Sequence, residues 1–174
     1  MHYKLTCYCV VFFVPFLVAA LVAQNPVVVG DNQEASTQTN EKFSAALESQ
    51  LGCRNKPEPA KAIGALQRTG IIERRSYLNL DSLNYFHARR RLSVWGFKVV
   101  SVFGFDFNPR IFERGPGTAP PITIGVVVPV SENVVKSKLM SLGLENIHVQ
   151  RAELGLDSKL RKSSVLTEIY CEES

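Results

Sequence analysis

The pattern of apolar and polar positions divides the chain into three kinds of segment. Residues 5–23 form an apolar run without a charged side chain, and residues 24–40 are polar and rich in Gln, Asn, Ser and Thr. From residue 41 onward, helical and strand-like periodicities alternate up to residue 174. The pattern therefore predicts a signal peptide over 1–23, a flexible leader over 24–40 and a single folded domain over 41–174.

The N-terminal run is typical of a secretory signal peptide. Lys4 gives a positively charged start, and small residues at Ala20 and Ala23 precede a polar break. Pro15 in the middle of the run and the terminal alanines favour cleavage. The alternative is an uncleaved anchor, since residues 5–23 fall only slightly short of the ~20 apolar residues that span a membrane. We therefore expect export to a periplasm or cell envelope, with anchoring in the inner membrane as the alternative.

Apolar residues at helical spacing predict three helices in the domain. The first covers 41–51, the second begins near Pro57 and ends at residues 69–70, and the third follows Ser131 and ends at Gly143. Proline suits the first turn of a helix, serine suits the N-cap and glycine suits the C′ position. The side chains of the third helix expected to face inward are Val134, Val135, Leu139 and Leu142.

Period-two alternation predicts the strands. Candidates are 72–80 and 83–88 around an Asp81-Ser82 turn, a nearly continuous apolar strand over 122–128 that should be central, and 147–154 and 165–171 at the C-terminus. The longest candidate covers 94–107 and would extend about 46 Å, so Gly104 is expected to mark a bulge or bend. One of its faces, expected to be the floor of the core or alternatively a ligand groove, reads Trp95, Phe97, Val99, Ser101, Phe103, Phe105, Phe107.

The order of these elements predicts the fold class. Helices come first, strands follow, and one helix interrupts the strands, which excludes a regular series of βαβ units. The chain has 174 residues, of which 45% are hydrophobic, enough for one domain with a real core. We therefore expect a single α+β domain with a mostly antiparallel sheet of about five or six strands and helices packed on one face.

The cysteines predict one disulfide. Cys7 and Cys9 would leave with a cleaved signal peptide, so that Cys53 and Cys171 remain. Two cysteines in an oxidising compartment most simply pair with each other, and the alternative is two buried free thiols. No Asn-x-Ser/Thr sequon occurs in the chain, which favours a bacterial envelope over a eukaryotic secretory pathway.

Catalytic and metal-binding motifs are missing from the sequence. His87 and His148 lie outside any known metal-binding spacing, and the chain has no nucleophile elbow, phosphate loop or dinucleotide motif. No cofactor is expected. An enzyme would need a site assembled from dispersed residues such as His87, Asp106 and His148, so the sequence favours a protein without catalytic activity.

Positive charge is concentrated in the middle of the chain. Residues 54–114 carry twelve basic and five acidic residues, and arginine outnumbers lysine nine to three. Arginines cluster at 89–91 and 74–75, and Arg110 and Arg114 bracket part of a loop. The simplest interpretation is a solvated basic surface. The alternative is a positive face that binds an acidic protein, an anionic lipid or an envelope polymer; nucleic acid is not expected, because exported proteins seldom meet it.

The loop over 108–121 is the most distinctive segment. Prolines stiffen it, Pro116 among them, and a stiff loop loses less entropy when it binds a partner. Phe112, between Arg110 and Arg114, is either an aromatic anchor for a partner or a core residue of a rigid crossover.

These observations lead to one functional hypothesis with alternatives. The chain is expected to be an exported, non-enzymatic binding protein, of the inhibitor or immunity type, that acts through the 108–121 loop. The first alternative is an envelope protein that binds an anionic small or polymeric ligand through its arginines, and the second is a membrane-anchored structural domain. The residues expected to bind are Arg89, Arg90, Arg91, Arg110, Phe112, Arg114 and Pro116.

Overall fold

The fold is seen in a computed structural model that describes residues 31–152 and 165–173, with side chains from residue 40 onward. The expected signal peptide over 1–23 lies outside the described residues, as do 24–30 and the connection 153–164. The described elements are α1 (Asp31–Leu51), α2 (Pro59–Arg68), β1 (Leu78–Leu80), β2 (Leu83–His87), β3 (Ser93–Val94), β4 (Phe97–Lys98), β5 (Ser101–Phe105), β6 (Thr123–Val128), α3 (Glu132–Ser141), β7 (His148–Arg151) and β8 (Thr167–Glu172).

Six strands form one antiparallel sheet in the order β1-β2-β5-β6-β8-β7, and β3 and β4 form a separate hairpin. The predicted α+β fold with a mostly antiparallel sheet is confirmed. The β1–β2 turn is also as predicted, with Asp81 and Ser82 both at positive φ (47° and 73°), as the favoured two-residue hairpin turns require. β6 is buried along its whole length, as expected for a central strand.

All three helices contribute to a core on one face of the sheet. Leu51 of α1, Ile63 of α2 and Val135 of α3 are fully buried there. Gly104 of β5 allows α2 to approach closely, since a Cβ atom at this position would lie 3.1 Å from Ile63 Cδ1 and 3.3 Å from Pro59 Cβ. The pairing with β2 and β6 continues in register through Gly104, so the expectation of a bulge there is wrong. The missing side chain leaves room for Thr123 O of β6, which would lie 2.6 Å from a Cβ atom, as well as for α2.

The prediction of one long strand over 94–107 is also wrong. The chain turns back at Trp95 and Gly96, which have φ values of 48° and 86°, so β3 and β4 form a tight hairpin before β5 begins. The apolar alternation therefore belongs to different elements and does not form one aromatic wall. Phe105 is buried in the main core, whereas Phe107 is 70% exposed.

The start of α1 and the buried face of α3 also differ from the sequence-based expectation. α1 begins at Asp31, so residues 31–40 of the expected leader are helical. In α3, Val135 and Leu139 are buried as predicted, but Val134 and Leu142 are exposed. The end of α3 is as expected, because Gly143 has φ 66° and the following N–H, of Leu144, donates to Leu139 O at 3.0 Å.

The predicted disulfide is confirmed. Cys53, just after α1, is bonded to Cys171 of β8, with a Cα–Cα distance of 5.4 Å. The bond ties the end of the first helix to a strand in the interior of the sheet, and it is consistent with an oxidising compartment. Among the described residues, no helix is long and apolar enough to cross a membrane.

The opposite face of the sheet carries a second apolar cluster that the sequence did not indicate. Tyr85, Phe103 and Val127 are buried there, and the Tyr85 and Phe103 rings stack with centroids 4.8 Å apart. Tyr170 borders the cluster, and burial, assisted by the carboxylates of Glu172 and Glu168, raises the pKa of its hydroxyl above 10.0. The phenol therefore stays neutral at physiological pH.

Candidate anion-binding surface

The arginine run, Arg89 to Arg91, follows β2, and backbone hydrogen bonds fix its position. The backbone N–H groups of Arg89 and Arg90 both donate to Ile71 O, at 2.8 and 3.2 Å. The preceding residue, Ala88, pairs with Ile72 and donates to Val100 O at 3.1 Å. These bonds hold the backbone of the run against the segment that follows α2, so the side chains start from defined positions.

Beside the run lies a cavity of about 830 Å³, here called the arginine pocket. Its charged lining consists of Arg89, Arg90, Arg91, Lys98 and a single acid, Glu73. The volume falls within the ~300–1,000 Å³ of pockets that hold small ligands. The pocket therefore combines ligand-sized space with a strong excess of positive charge.

The charges of this pocket are not neutralised by protein carboxylates. Arg89, Arg90, Arg91 and Lys98 are exposed, and among the described residues none of them forms a salt bridge. Four unpaired cations in one place repel one another, and an anion from solution relieves that repulsion. Anion binding is the interaction that this lining favours.

His87 forms part of the pocket wall. Its imidazole stacks on the Tyr77 ring, with the centroids 3.6 Å apart and the planes nearly parallel. The Tyr77 hydroxyl donates to Ser101 Oγ at 3.3 Å. His87 therefore has a structural role in packing the wall.

The 108–121 loop is fixed to the β1–β2 hairpin. Asn84 is fully buried and forms two hydrogen bonds with the backbone of Glu113. Its Oδ1 accepts from the Glu113 N–H, and its Nδ2 donates to Glu113 O, both at 3.0 Å. Asn79 also donates to Glu113 O, at 2.7 Å, and Gly115 N–H donates to Ser82 Oγ at 3.0 Å. The loop is thus anchored at its middle by side-chain hydrogen bonds, a source of rigidity that its prolines alone did not indicate.

Phe112 is a core residue and not an exposed anchor. It is 3% exposed, and its ring centroid lies 6.3 Å from that of Phe105. Of the two alternatives for this residue, the structure therefore shows the crossover packed into the core. The exposed aromatic residue of this region is Phe107, which makes an edge contact with Phe105. Arg110, Arg114 and Pro116 are exposed.

A second basic cavity, of about 600 Å³, lies between α2 and the loop and is here called the loop pocket. Lys61 and Arg68 reach it from α2, Arg74 from the following segment and Arg110 from the loop. No acidic residue is among the described residues of its lining, although Lys61 Nζ donates to Glu58 Oε2 at 2.9 Å. The position of Arg74 is fixed by its carbonyl, which accepts from Gln67 Nε2 at 3.1 Å. The sequence carried one signal of this site, because Lys61 and Arg68 are two helical turns apart and so share a helix face.

The residues considered for a dispersed catalytic site are not brought together. His87 lies in β2 and His148 in β7, four strand spacings or about 19 Å apart across the sheet. The Asp106 carboxylate accepts from the N–H groups of Ala60 and Asn108, at 3.0 and 2.6 Å, and so caps the start of α2. In the described parts of the chain, no three His, Cys, Asp or Glu side chains are placed to hold a metal ion.

The basic side chains that line the two pockets are all left exposed by the fold. Comparison of the chain with models of protein families, with curated proteins and with solved structures found no match.

Proposed function

We propose that the protein is an exported, non-enzymatic binding protein of the periplasm or cell envelope that holds an anionic ligand in the arginine pocket. The observation that carries the proposal is the convergence of Arg89, Arg90, Arg91 and Lys98 on one ligand-sized cavity, where no carboxylate in the described part of the chain pairs with them. The Cys53–Cys171 bond supports an oxidising location.

Arginine explains which anions are favoured. The guanidinium group is planar, stays charged at any physiological pH and offers two parallel N–H donors. This arrangement matches the paired oxygens of carboxylate, sulfate and phosphate groups. Three successive arginines therefore suit a ligand with several such groups.

Replacing Arg89, Arg90 and Arg91 by glutamine tests the proposal. Each exposed charge contact contributes about 0.2–1 kcal/mol, so the triple variant should bind roughly threefold to 150-fold more weakly. Titration of dextran sulfate by calorimetry at low salt measures the loss. Uncharged dextran of the same size should not bind to either protein.

The matched control removes the same number of charges from another part of the surface. Lys136, Lys138 and Arg151 are exposed on α3 and β7, and their glutamine variant should keep wild-type affinity. An equal loss in both triple variants would show attraction by net charge alone and would contradict a site at residues 89–91. Absence of dextran sulfate binding to the wild type would contradict the proposal as a whole.

A second candidate function is the capture of a partner protein, as an inhibitor or immunity protein does, through the 108–121 loop. The observation that favours it is the exposure of Phe107, at 70%, just before the anchored loop, and of Arg110 within the loop. Aromatic residues and arginine are the types that dominate binding energy at protein interfaces.

The variant Phe107→Ser/Arg110→Gln/Arg114→Gln tests this second function. All three side chains are exposed, so the free energy of unfolding should change by less than about 0.5 kcal/mol at each arginine, and by about 1 kcal/mol at Phe107, whose ring contacts Phe105. Crosslinking in an envelope extract, followed by mass spectrometry, should identify one protein that the wild type captures and the variant does not. If the wild type and the variant capture the same proteins, the loop takes no part in the interaction.

A further inference from the structure

We infer that the arginine pocket and the loop pocket are two halves of one site for a linear acidic polysaccharide. This inference rests on the proposed function, because it assigns a ligand class to the same arginine pocket and extends the site beyond it. One half of the polymer occupies the arginine pocket, and the chain continues past residues 72–74 into the loop pocket.

Consecutive residues line the two cavities. Glu73 lines the arginine pocket and Arg74 lines the loop pocket, and the Cα atoms of consecutive residues are only about 3.8 Å apart. The backbone is fixed at this point, because Glu73 N–H donates to His87 O at 3.0 Å. Gly70, just after α2, lies close to the arginine run, since a Cβ atom built on it would be 3.9 Å from Arg90 Nη2. The run is therefore near the end of α2, where Arg68 is located.

The charge of the combined site calls for a ligand with repeated anionic groups. Its lining includes eight basic side chains, one of which, Lys61, already donates to Glu58 Oε2 at 2.9 Å, and one half-buried acid, Glu73. A small anion fills one cavity and leaves the arginines of the other without an anionic partner among the described residues. A polymer with an acidic group on successive units reaches both halves, and its second contact is then intramolecular, which raises the affinity without a new kind of interaction.

The neutral part of the lining favours a polysaccharide over a nucleic acid. Neither pocket is lined by Phe, Tyr or Trp among the described residues, whereas proteins that bind single-stranded nucleic acid stack the bases on such rings. The neutral polar residues of the lining are Ser93 in the arginine pocket and Gln67 and Asn108 in the loop pocket, besides His87, whose ring is already stacked on Tyr77. Hydroxyl and amide groups of this kind suit the hydroxyls of sugar units.

A length series of sulfated oligosaccharides, from a disaccharide to a decasaccharide, tests the inference. The dissociation constant, measured by calorimetry at low salt, should fall by at least tenfold between the shortest ligand and the first one that reaches both pockets. In the variant Arg68→Gln/Arg74→Gln, the disaccharide should bind as it binds to the wild type, but the gain with length should disappear. Both arginines are exposed, and an unchanged circular dichroism spectrum confirms that the variant is folded.

The outcomes separate this inference from the proposed function. If the dissociation constant does not fall as the oligosaccharide becomes longer, while the Arg89/Arg90/Arg91 variant still binds more weakly than the wild type, the two-pocket site is overturned. The single arginine pocket of the proposed function then stands. If no sulfated ligand binds at any length, both are overturned. A single-stranded oligonucleotide of equal charge that binds more tightly than the decasaccharide overturns the assignment to a polysaccharide.

Discussion

Replacing Cys53 and Cys171 together by alanine is expected to lower the free energy of unfolding by about 4–5 kcal/mol. The two residues are 118 positions apart, so the bond closes a very long loop in the unfolded chain and removes much of its conformational entropy. Domains of this size are stable by only about 5–15 kcal/mol, so the loss takes a large part of the total. Urea unfolding followed by circular dichroism measures it.

Reduction provides the control for this prediction. A strong reductant should shift the unfolding midpoint of the wild type most of the way to that of the double variant, and it should leave the variant unchanged. Cys171 is 2% exposed, so alanine also creates a small cavity there, and reduction separates this effect from that of the bond. A wild type indifferent to the reductant would show that the bond does not form in the folded protein.

The second large effect is expected for Gly125→Ala, which should destabilise the domain by about 3 kcal/mol, the upper end for overpacking. Gly125 of β6 is paired with Phe103 of β5, and an alanine Cβ would lie only 2.2 Å from Phe103 Cζ. The ring cannot easily move away, because it is 1% exposed and stacks on Tyr85. The free energy of unfolding in urea is again the measurement.

A double-mutant cycle identifies the cause of that loss. In a Phe103→Leu background the ring is gone, and Gly125→Ala should cost at least about 1 kcal/mol less than it does in the wild type. The same cost in both backgrounds would mean that the alanine clashes with something other than the ring.

Local patterns account for the parts of the fold that were predictable. The Asp81-Ser82 turn and the apolar strand β6 depend on residues next to each other in the chain, so the sequence alone indicates them. The Trp95-Gly96 turn was missed because both arms of a hairpin carry the same alternation, which hides the reversal between them. The second apolar cluster was missed because the expectation of helices on one face left the other to solvent.

The candidate site, like the fold, could be predicted from the sequence only in part. The arginine run is visible as three consecutive letters, but its pocket depends on Lys98 and Glu73 from other segments. The loop pocket joins α2 to the 108–121 loop, and only tertiary packing brings Arg68 and Arg110 to one cavity. Phe112 shows the limit most clearly, because an aromatic residue between arginines in a proline-rich loop fits an anchor and a core residue equally well.

The position of β8 constrains the order in which the domain is assembled. β8 is the last described strand along the chain, yet it lies inside the sheet between β6 and β7 and carries one end of the disulfide. The sheet is therefore incomplete, and Cys53 lacks its partner, until synthesis has passed residue 172. A nascent chain that stops earlier leaves β6 and β7 without the neighbour that joins them. Completion of the sheet and formation of the disulfide therefore depend on the same late segment of the chain.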